Sequence, residues 1–338
     1  MKKFTLVSIL AIFVFIIGAC TAPPKPTVVV PTEPAISVFQ KAQNGKPFRW
    51  PHDNMAHPVT RLMLAGYMQA CKDFGLLCED MGIDGDNTPG VLGLIEQSVT
   101  LGTSGMLFAV FQPAHYQPVI DATNAGIPIV SFHFAVDRKN TPGLLAFAAP
   151  DMGDYATKAG YAMAEKANCG SPIGTTQSIL NTGENLVIEN FKKAYLEKCP
   201  DAVLLETQME GYDPVAAIAV ASAIIQANPD IKGGFSSTGN GPTTWAKAAQ
   251  ESGKKIGELI IISMDYVKPN LDLVKSGEVY MLVGQPLFEE MYYSTTLLVL
   301  NMMGYPVPYE HYLPSPMITL ENVDKYYAIN DLAEGIAK

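Results

Sequence analysis

Residues 105–132 read GMLFAVFQPAHYQPVIDATNAGIPIVSF. The stretch opens on an apolar run of strand length at 105–110 and closes on another at 127–132, with a helical segment at 113–124 between them. Two buried strands joined by a helix predict a β-α-β unit, with parallel strands and a right-handed crossover. Toward the N-terminus, 88–101 reads as a helix with Pro89 in its first turn, where a missing N–H does no harm. A strand is predicted at 76–81. Before it, 55–74 carries helical apolar spacing at Leu62, Leu64, Ala65 and Met68 and stops at Gly75. A first strand ends near Trp50-Pro51-His52-Asp53. The order β-α-β-α-β-α-β is that of a parallel sheet.

Beyond 144–150 the cycle restarts. Asp151 is placed to cap a helix running through Lys166. Strands follow at 174–181, 203–207, 232–236, 259–264 and 279–284, alternating with helices at 184–198, 213–227, 243–252 and 269–276. Each such set of repeats buries one sheet. The predicted fold class is therefore α/β, with two doubly wound parallel-sheet lobes.

The N-terminus predicts where this body works. Lys2 and Lys3 precede an uncharged apolar run, 4–17, too short to span a bilayer as a stable helix of ~20 residues. It reads as a secretory signal. Gly18 and Ala19 before Cys20 resemble a bacterial lipobox, which implies removal of 1–19 and lipidation of Cys20. Residues 21–34 hold Pro23, Pro24, Pro26, Pro31 and Pro34 with almost no charge, a composition suited to an extended spacer. A lipidated, Pro-rich tether is assigned to 20–45. The expected location is outside the cell membrane, lipid-anchored, facing periplasm or exterior.

The formal charge is −10, and loss of Lys2 and Lys3 leaves −12. An acidic body without a basic run argues against nucleic acid as a partner. Four cysteines remain after Cys20: Cys71, Cys78, Cys169 and Cys199. In an exported protein an even number suggests disulfides, with Cys71–Cys78 and Cys169–Cys199 the local pairings; free buried thiols are the alternative. The spacing does not suggest a metal site.

Ligands of open parallel sheets bind beyond the carboxyl ends of the strands. Those ends carry His52 and Asp53, His133 and Phe134, Asn181, Glu184 and Asn185, Thr238-Gly239-Asn240, Asp265, and Gln285. Carboxylates and amides pair with hydroxyls while aromatic faces pack on C–H surfaces, so the set suits a polyhydroxylated ligand. Asp53 and Asp265 could also serve as helix caps, and Trp245 reads as core. No G-x-S-x-G, H-E-x-x-H, P-loop or C-x-x-C occurs, and nothing pairs a nucleophile with a base. Neither an enzyme nor a cofactor is expected.

Four segments carry a family resemblance: 125–130 (AGIPIV), 226–231 (QANPDI), 262–265 (ISMD) and 283–286 (VGQP). In this order the chain resembles the type I periplasmic sugar-binding proteins of ABC importers, the group that includes ribose-binding protein. The resemblance implies two lobes joined by a three-strand hinge, with crossings near 147–151, 285–287 and 313–317. Lobe one would comprise 46–150 plus 286–314, and lobe two 151–285 plus 315–338. It implies a monomer that holds a sugar or polyol between its lobes and delivers it to an ABC permease.

By the same resemblance, Asp265 and Gln285 match positions that contact sugar hydroxyls. His133 stands where ribose-type members have aspartate, and Phe134 where they have arginine. Asn240 is a displaced substitute for an Asn-Asp pair, and His57-Pro58-Val59-Thr60 replaces Asn-Pro-Phe-Phe. These departures imply a differently shaped hydroxylated ligand held by fewer charged groups. The expected binding residues are His52, Asp53, His133, Asn185, Asn240, Asp265 and Gln285. An alternative is a nucleoside or quorum-signal receptor of the same fold, its base stacked among Phe48, Trp50, Phe111 and Phe134; an exported hydrolase is a further one.

Overall fold

The computed structural model describes residues 36–55 and 57–336. The signal segment, Cys20 and the proline-rich stretch lie outside the described residues. The chain opens with α1 (Val38–Gln43), β1 (Phe48–His52), α2 (Pro58–Phe74), β2 (Cys78–Gly82), α3 (Thr88–Leu101), β3 (Gly105–Leu107), α4 (Tyr116–Asn124), β4 (Ile129–Phe132) and β5 (Ala146–Pro150). The second cycle is α5 (Met152–Lys166), β6 (Ile173–Gln177), α6 (Thr182–Lys198), β7 (Gln208–Met209), α7 (Pro214–Ala227), β8 (Gly233–Ser236), α8 (Gly241–Glu251), β9 (Ile260–Met264), α9 (Lys268–Ser276) and β10 (Met281–Val283). The chain then forms α10 (Leu287–Met302), β11 (Glu310–Leu313), β12 (Met317–Ile318) and α11 (Asp324–Ile336).

Two six-stranded sheets result, in the orders β11-β5-β4-β3-β1-β2 and β12-β10-β9-β8-β6-β7. All pairings are parallel except β10 with β12. The chain passes between the sheets at 150–152, 283–287 and 313–317. The two doubly wound lobes read from the sequence are present.

Helices stand where caps and breakers put them. Asp151, Asn181 and Asp213 each accept a backbone N–H in the first turn of α5, α6 and α7. Gly75 ends α2 in the left-handed region. Apolar side chains fill both faces of each sheet. One large cluster runs from Phe48 and Tyr67 through Leu287 and Met291 to Trp245 and Leu271. Separate clusters lie under α5 and α6 and under α3 and α4. Disulfides join Cys71 to Cys78 and Cys169 to Cys199, with Cα separations of 6.3 and 5.3 Å.

Several expectations need correction. The tether assigned to 20–45 does not extend that far. Ser37 caps α1, and the buried Gln43 amide donates to Leu77 O (2.8 Å) and accepts from Leu77 N (2.7 Å). The strand expected at 203–207 is only a bridge at Leu204, followed by β7. Beside it, Thr207 pairs its hydroxyl with Thr175 (2.8 Å). The strand expected through Val110 stops at Leu107, because Val110 N donates to the Ser131 hydroxyl instead of a strand carbonyl. The tail beyond 315, assigned to lobe two, lies against both lobes, since α11 packs on α9 and on α2.

Close helix packing rests on two glycines. A Cβ at Gly66 would lie 2.1 Å from Phe288 O on α10, and one at Gly160 would lie 2.5 Å from Phe191 O on α6. Both obstacles are backbone, so the helices themselves would have to move. Gly66→Ala and Gly160→Ala should each lower unfolding stability by about 1–3 kcal/mol. Chemical denaturation checks this; unchanged midpoints would show that the helices separate freely.

Candidate functional site

The carboxyl ends of both sheets face one cavity of about 220 Å³. Lobe one supplies Trp50, His52, Asp53, His57, Phe111, Phe132, His133 and Phe134. Lobe two supplies Tyr155, Glu184, Tyr212, Asn240 and Asp265, with Gln285 on the second crossing. The lobes meet over this space. His57 of lobe one and Asn240 of lobe two both line it. Val59 leaves no room for a Cβ on Gly239, and the Phe134 ring leaves none on Gly183.

His133 and Asp265 follow β4 and β9, which hold the same place in their sheets. Both have φ of 68°, a left-handed conformation unusual for non-glycine residues. Each turns its side chain out of the ladder at the strand end. His133 Nδ1 pairs with Glu290 Oε1 at 3.0 Å, and Glu290 is fully buried. Burial alone would lower the His133 pKa; the Glu290, Asp265 and Glu184 carboxylates together outweigh it and raise the pKa above the ordinary value. Burial also raises Glu290. Asp265 is 2% exposed, and its Oδ1 is buried without a partner. Burial pushes its pKa up to about 7, opposed by His133 and assisted by Glu290.

On the lobe-two wall, Asn181 and Glu184 form a reciprocal cap at the start of α6. Glu184 N donates to Asn181 Oδ1 (2.8 Å), and Asn181 Nδ2 donates to Glu184 Oε1 (2.9 Å). Ser178 N (2.6 Å), the Ser178 hydroxyl and the Ser237 hydroxyl (3.3 Å) also donate to this carboxylate. Burial still holds its pKa above the ordinary range. Behind the cleft, buried Glu210 accepts from Thr238 Oγ1 (2.5 Å) and from Ser236, which fixes the loop carrying Asn240. Asn270 Nδ2 donates to Gly239 O (2.9 Å) and Asp265 O (3.1 Å), tying that loop to the Asp265 turn.

Of the residues singled out from sequence, His52, Asp53, His133, Asn240, Asp265 and Gln285 line the cavity. His52 stacks on Trp50 (3.9 Å) and pairs Nε2 with Asp80 (2.6 Å). Asp53 accepts from Asn87 N (3.3 Å), and burial raises its pKa. Gln285 Nε2 donates to Tyr155 OH (3.3 Å). Asn185 is not brought in: it accepts from Gln177 Nε2 (2.8 Å) behind the helix cap, and Glu184 takes the cavity wall. Phe48 is not at the mouth but in the core, fully buried.

Sequence reasoning set Glu184 at a strand end but passed it over for Asn185, although Asn181-Thr182-Gly183-Glu184 has the spacing of a capping box. It missed Tyr155 and Glu290. Both stand in the first turns of helices that follow the crossings, where no local pattern marks them. Trp245 is core, as read: it is fully buried and donates Nε1–H to Thr176 (2.9 Å).

A periplasmic binding protein domain model matches residues 53–305. Solved structures of the same fold include a glucose-galactose binding protein from Geobacillus stearothermophilus. It is 17% identical, with a TM-score of 0.75, and the match covers 82% of this chain and 99% of that one. A sugar-binding protein of a sugar ABC transporter from Bacillus halodurans is 21% identical, with a TM-score of 0.75 and coverage of 83% and 100%. An ABC transporter periplasmic solute binding protein from Actinobacillus succinogenes, with bound D-allose, is 17% identical, with a TM-score of 0.75 and coverage of 83% and 100%. At these identities the likeness is one of fold. The domain match, however, spans most of the sequence, and the chain belongs to the periplasmic binding protein family, a family of solute receptors and not of enzymes.

Proposed function

We propose that this chain is the solute receptor of an ABC importer, a lipoprotein that captures a sugar or polyol between its lobes and delivers it to the membrane permease. One observation carries the reading. Hydrogen-bonding groups from both lobes converge with aromatic faces on a single cavity at the strand ends. A small hydroxylated ligand would bridge those groups and hold the lobes together. Structures of the same fold that are named sugar-binding, or that hold a bound sugar, support the ligand class. Lipidation at Cys20 would supply the membrane attachment, and the receptor would act as a monomer. Among the described residues no helix is long and apolar enough to cross a membrane.

A nucleoside is the runner-up, because Phe111 and Phe134 form a tilted ring pair 5.2 Å apart on the cavity wall. A thermal-shift screen against sugars, polyols and nucleosides separates the two. A true ligand at 100 times its Kd should stabilise the protein by ~2.7 kcal/mol. A stereoselective sugar or polyol response supports the proposal, and a response to nucleosides alone replaces it. For the responding ligand, Asp265→Ala should weaken binding about ten- to hundredfold, the worth of a charge-assisted hydrogen bond. Calorimetric titration reads this, and retained affinity would remove Asp265 from the site.

The raised pKa values also set a pH dependence. Asp265 is pushed from the ordinary 3.8 to about 7, so the folded chain holds this proton more tightly than the unfolded chain. Its contribution to stability is therefore full at low pH and is lost as pH rises through that window. Glu290 and His133, both raised, act in the same direction. Asp265→Asn should make the ligand-free protein more stable than its parent by about 1–3 kcal/mol at pH 8, with the gap narrowing toward pH 5 and closing below about pH 4. Denaturation midpoints across this range test it; a gap independent of pH would contradict the assignment.

A further inference from the structure

The charges around the cavity do not balance. Asp53, Glu184 and Asp265 line it, and among the described lining residues there is neither lysine nor arginine. Three imidazoles line it too, and His133 offsets part of the Asp265 charge, but none is free of other pairing. His57 Nδ1 accepts from Val59 N (3.3 Å), and burial lowers its pKa, which keeps the ring neutral. His52 is paired with Asp80 and His133 with Glu290, both carboxylates outside the lining.

The three lining carboxylates differ in what they still lack. Glu184 already accepts from two serines and Asn181, and Asp53 accepts from Asn87 N and Asn54 Nδ2. Asp265 Oδ1 is buried with no donor at all. A buried carboxylate oxygen in this condition calls for a hydrogen-bond donor, and a surplus of buried negative charge calls for a cation. The lobe-one side of the cavity presents Trp50, Phe111, Phe132 and Phe134, whose ring faces attract positive charge.

On the reading of the cleft as a sugar or polyol site, we propose that its ligand carries a protonated amine, as an amino sugar or amino polyol, with the ammonium donating to Asp265. The hydroxyls then meet Asn240, Gln285 and the imidazoles. One group on the ligand thus supplies both the missing donor and the missing charge.

The test is calorimetric titration of the tether-bearing chain at pH 7 with matched probes. These are D-glucosamine, D-galactosamine and D-mannosamine, each beside its neutral hexose and its N-acetyl derivative, and glucamine beside sorbitol. The amine form of at least one pair should bind tenfold or more tightly than both its neutral and its acetylated partners. Asp265→Asn should shrink that preference to about twofold. Where this variant fails to fold, the acetylated partners test the charge on the unaltered protein. Equal or tighter binding of a neutral sugar would overturn the amine and leave the sugar-receptor reading standing. Failure of every neutral and amino probe to bind would overturn both.

Discussion

Closing two sheets over a shared cavity takes carboxylates out of water, and most of the site's construction answers that desolvation. Glu290 is fully buried and is held by His133. Glu210 is held by the Thr238 and Ser236 hydroxyls, and Glu184 by its own helix cap and two serines. A buried carboxylate left without donors or a cation costs several kcal/mol, so each of these partners is fixed in place by the need to meet it. The loops at the strand ends are consequently rigid where they would otherwise be free. Two buried oxygens remain unmet, Glu290 Oε2 and Asp265 Oδ1, and of these two residues only Asp265 lines the cavity.

The two lobes solve the problem with one geometry and different chemistry. Their strand orders are the same, and His133 and Asp265 occupy matching strand ends with the same left-handed turn. The helix entered after each crossing also contributes a side chain from its first turns, Tyr155 on α5 and Glu290 on α10. On lobe one the pair is imidazole with carboxylate. On lobe two it is carboxylate near a phenol, whose own pKa is driven well above the ordinary value by burial and by Asp265. Equivalent scaffolds thus present different ionisable pairs to a shared space.

Much of this was legible in the sequence. Alternating strand and helix lengths gave both sheets, and the Asp151 cap and the Asp213-Pro214 opening gave the starts of α5 and α7 to within a residue or two. Strand ends gave six of the seven singled-out site residues that line the cavity. The β5 strand was not legible, since Ala146-Phe147-Ala148-Ala149-Pro150 has no β-branched residue and ends in proline. Nor was the choice between Glu184 and Asn185. Neighbours on a helix point 100° apart, and only the Asn181 cap decides which one turns to the cleft. Among the described lining residues there is neither lysine nor arginine. Three carboxylates line the cavity, and their burial depends on lobe closure, which no local pattern encodes.

The C-terminal helix adds something that a two-lobe description leaves out. Besides packing on α2, α11 is pinned to lobe two by Asn330 Nδ2 donating to Tyr266 O (2.8 Å) and Tyr327 OH donating to Asp272 (2.6 Å). A rotation that parts the lobes must strip this helix from one of them. The balance between shut and parted forms therefore includes a term from residues that do not line the cavity. Apparent affinity scales with the fraction of molecules in the binding-competent form. Sequence change in the tail can thus retune how tightly the receptor holds its cargo, and how readily it lets go, while every group facing the cargo stays the same.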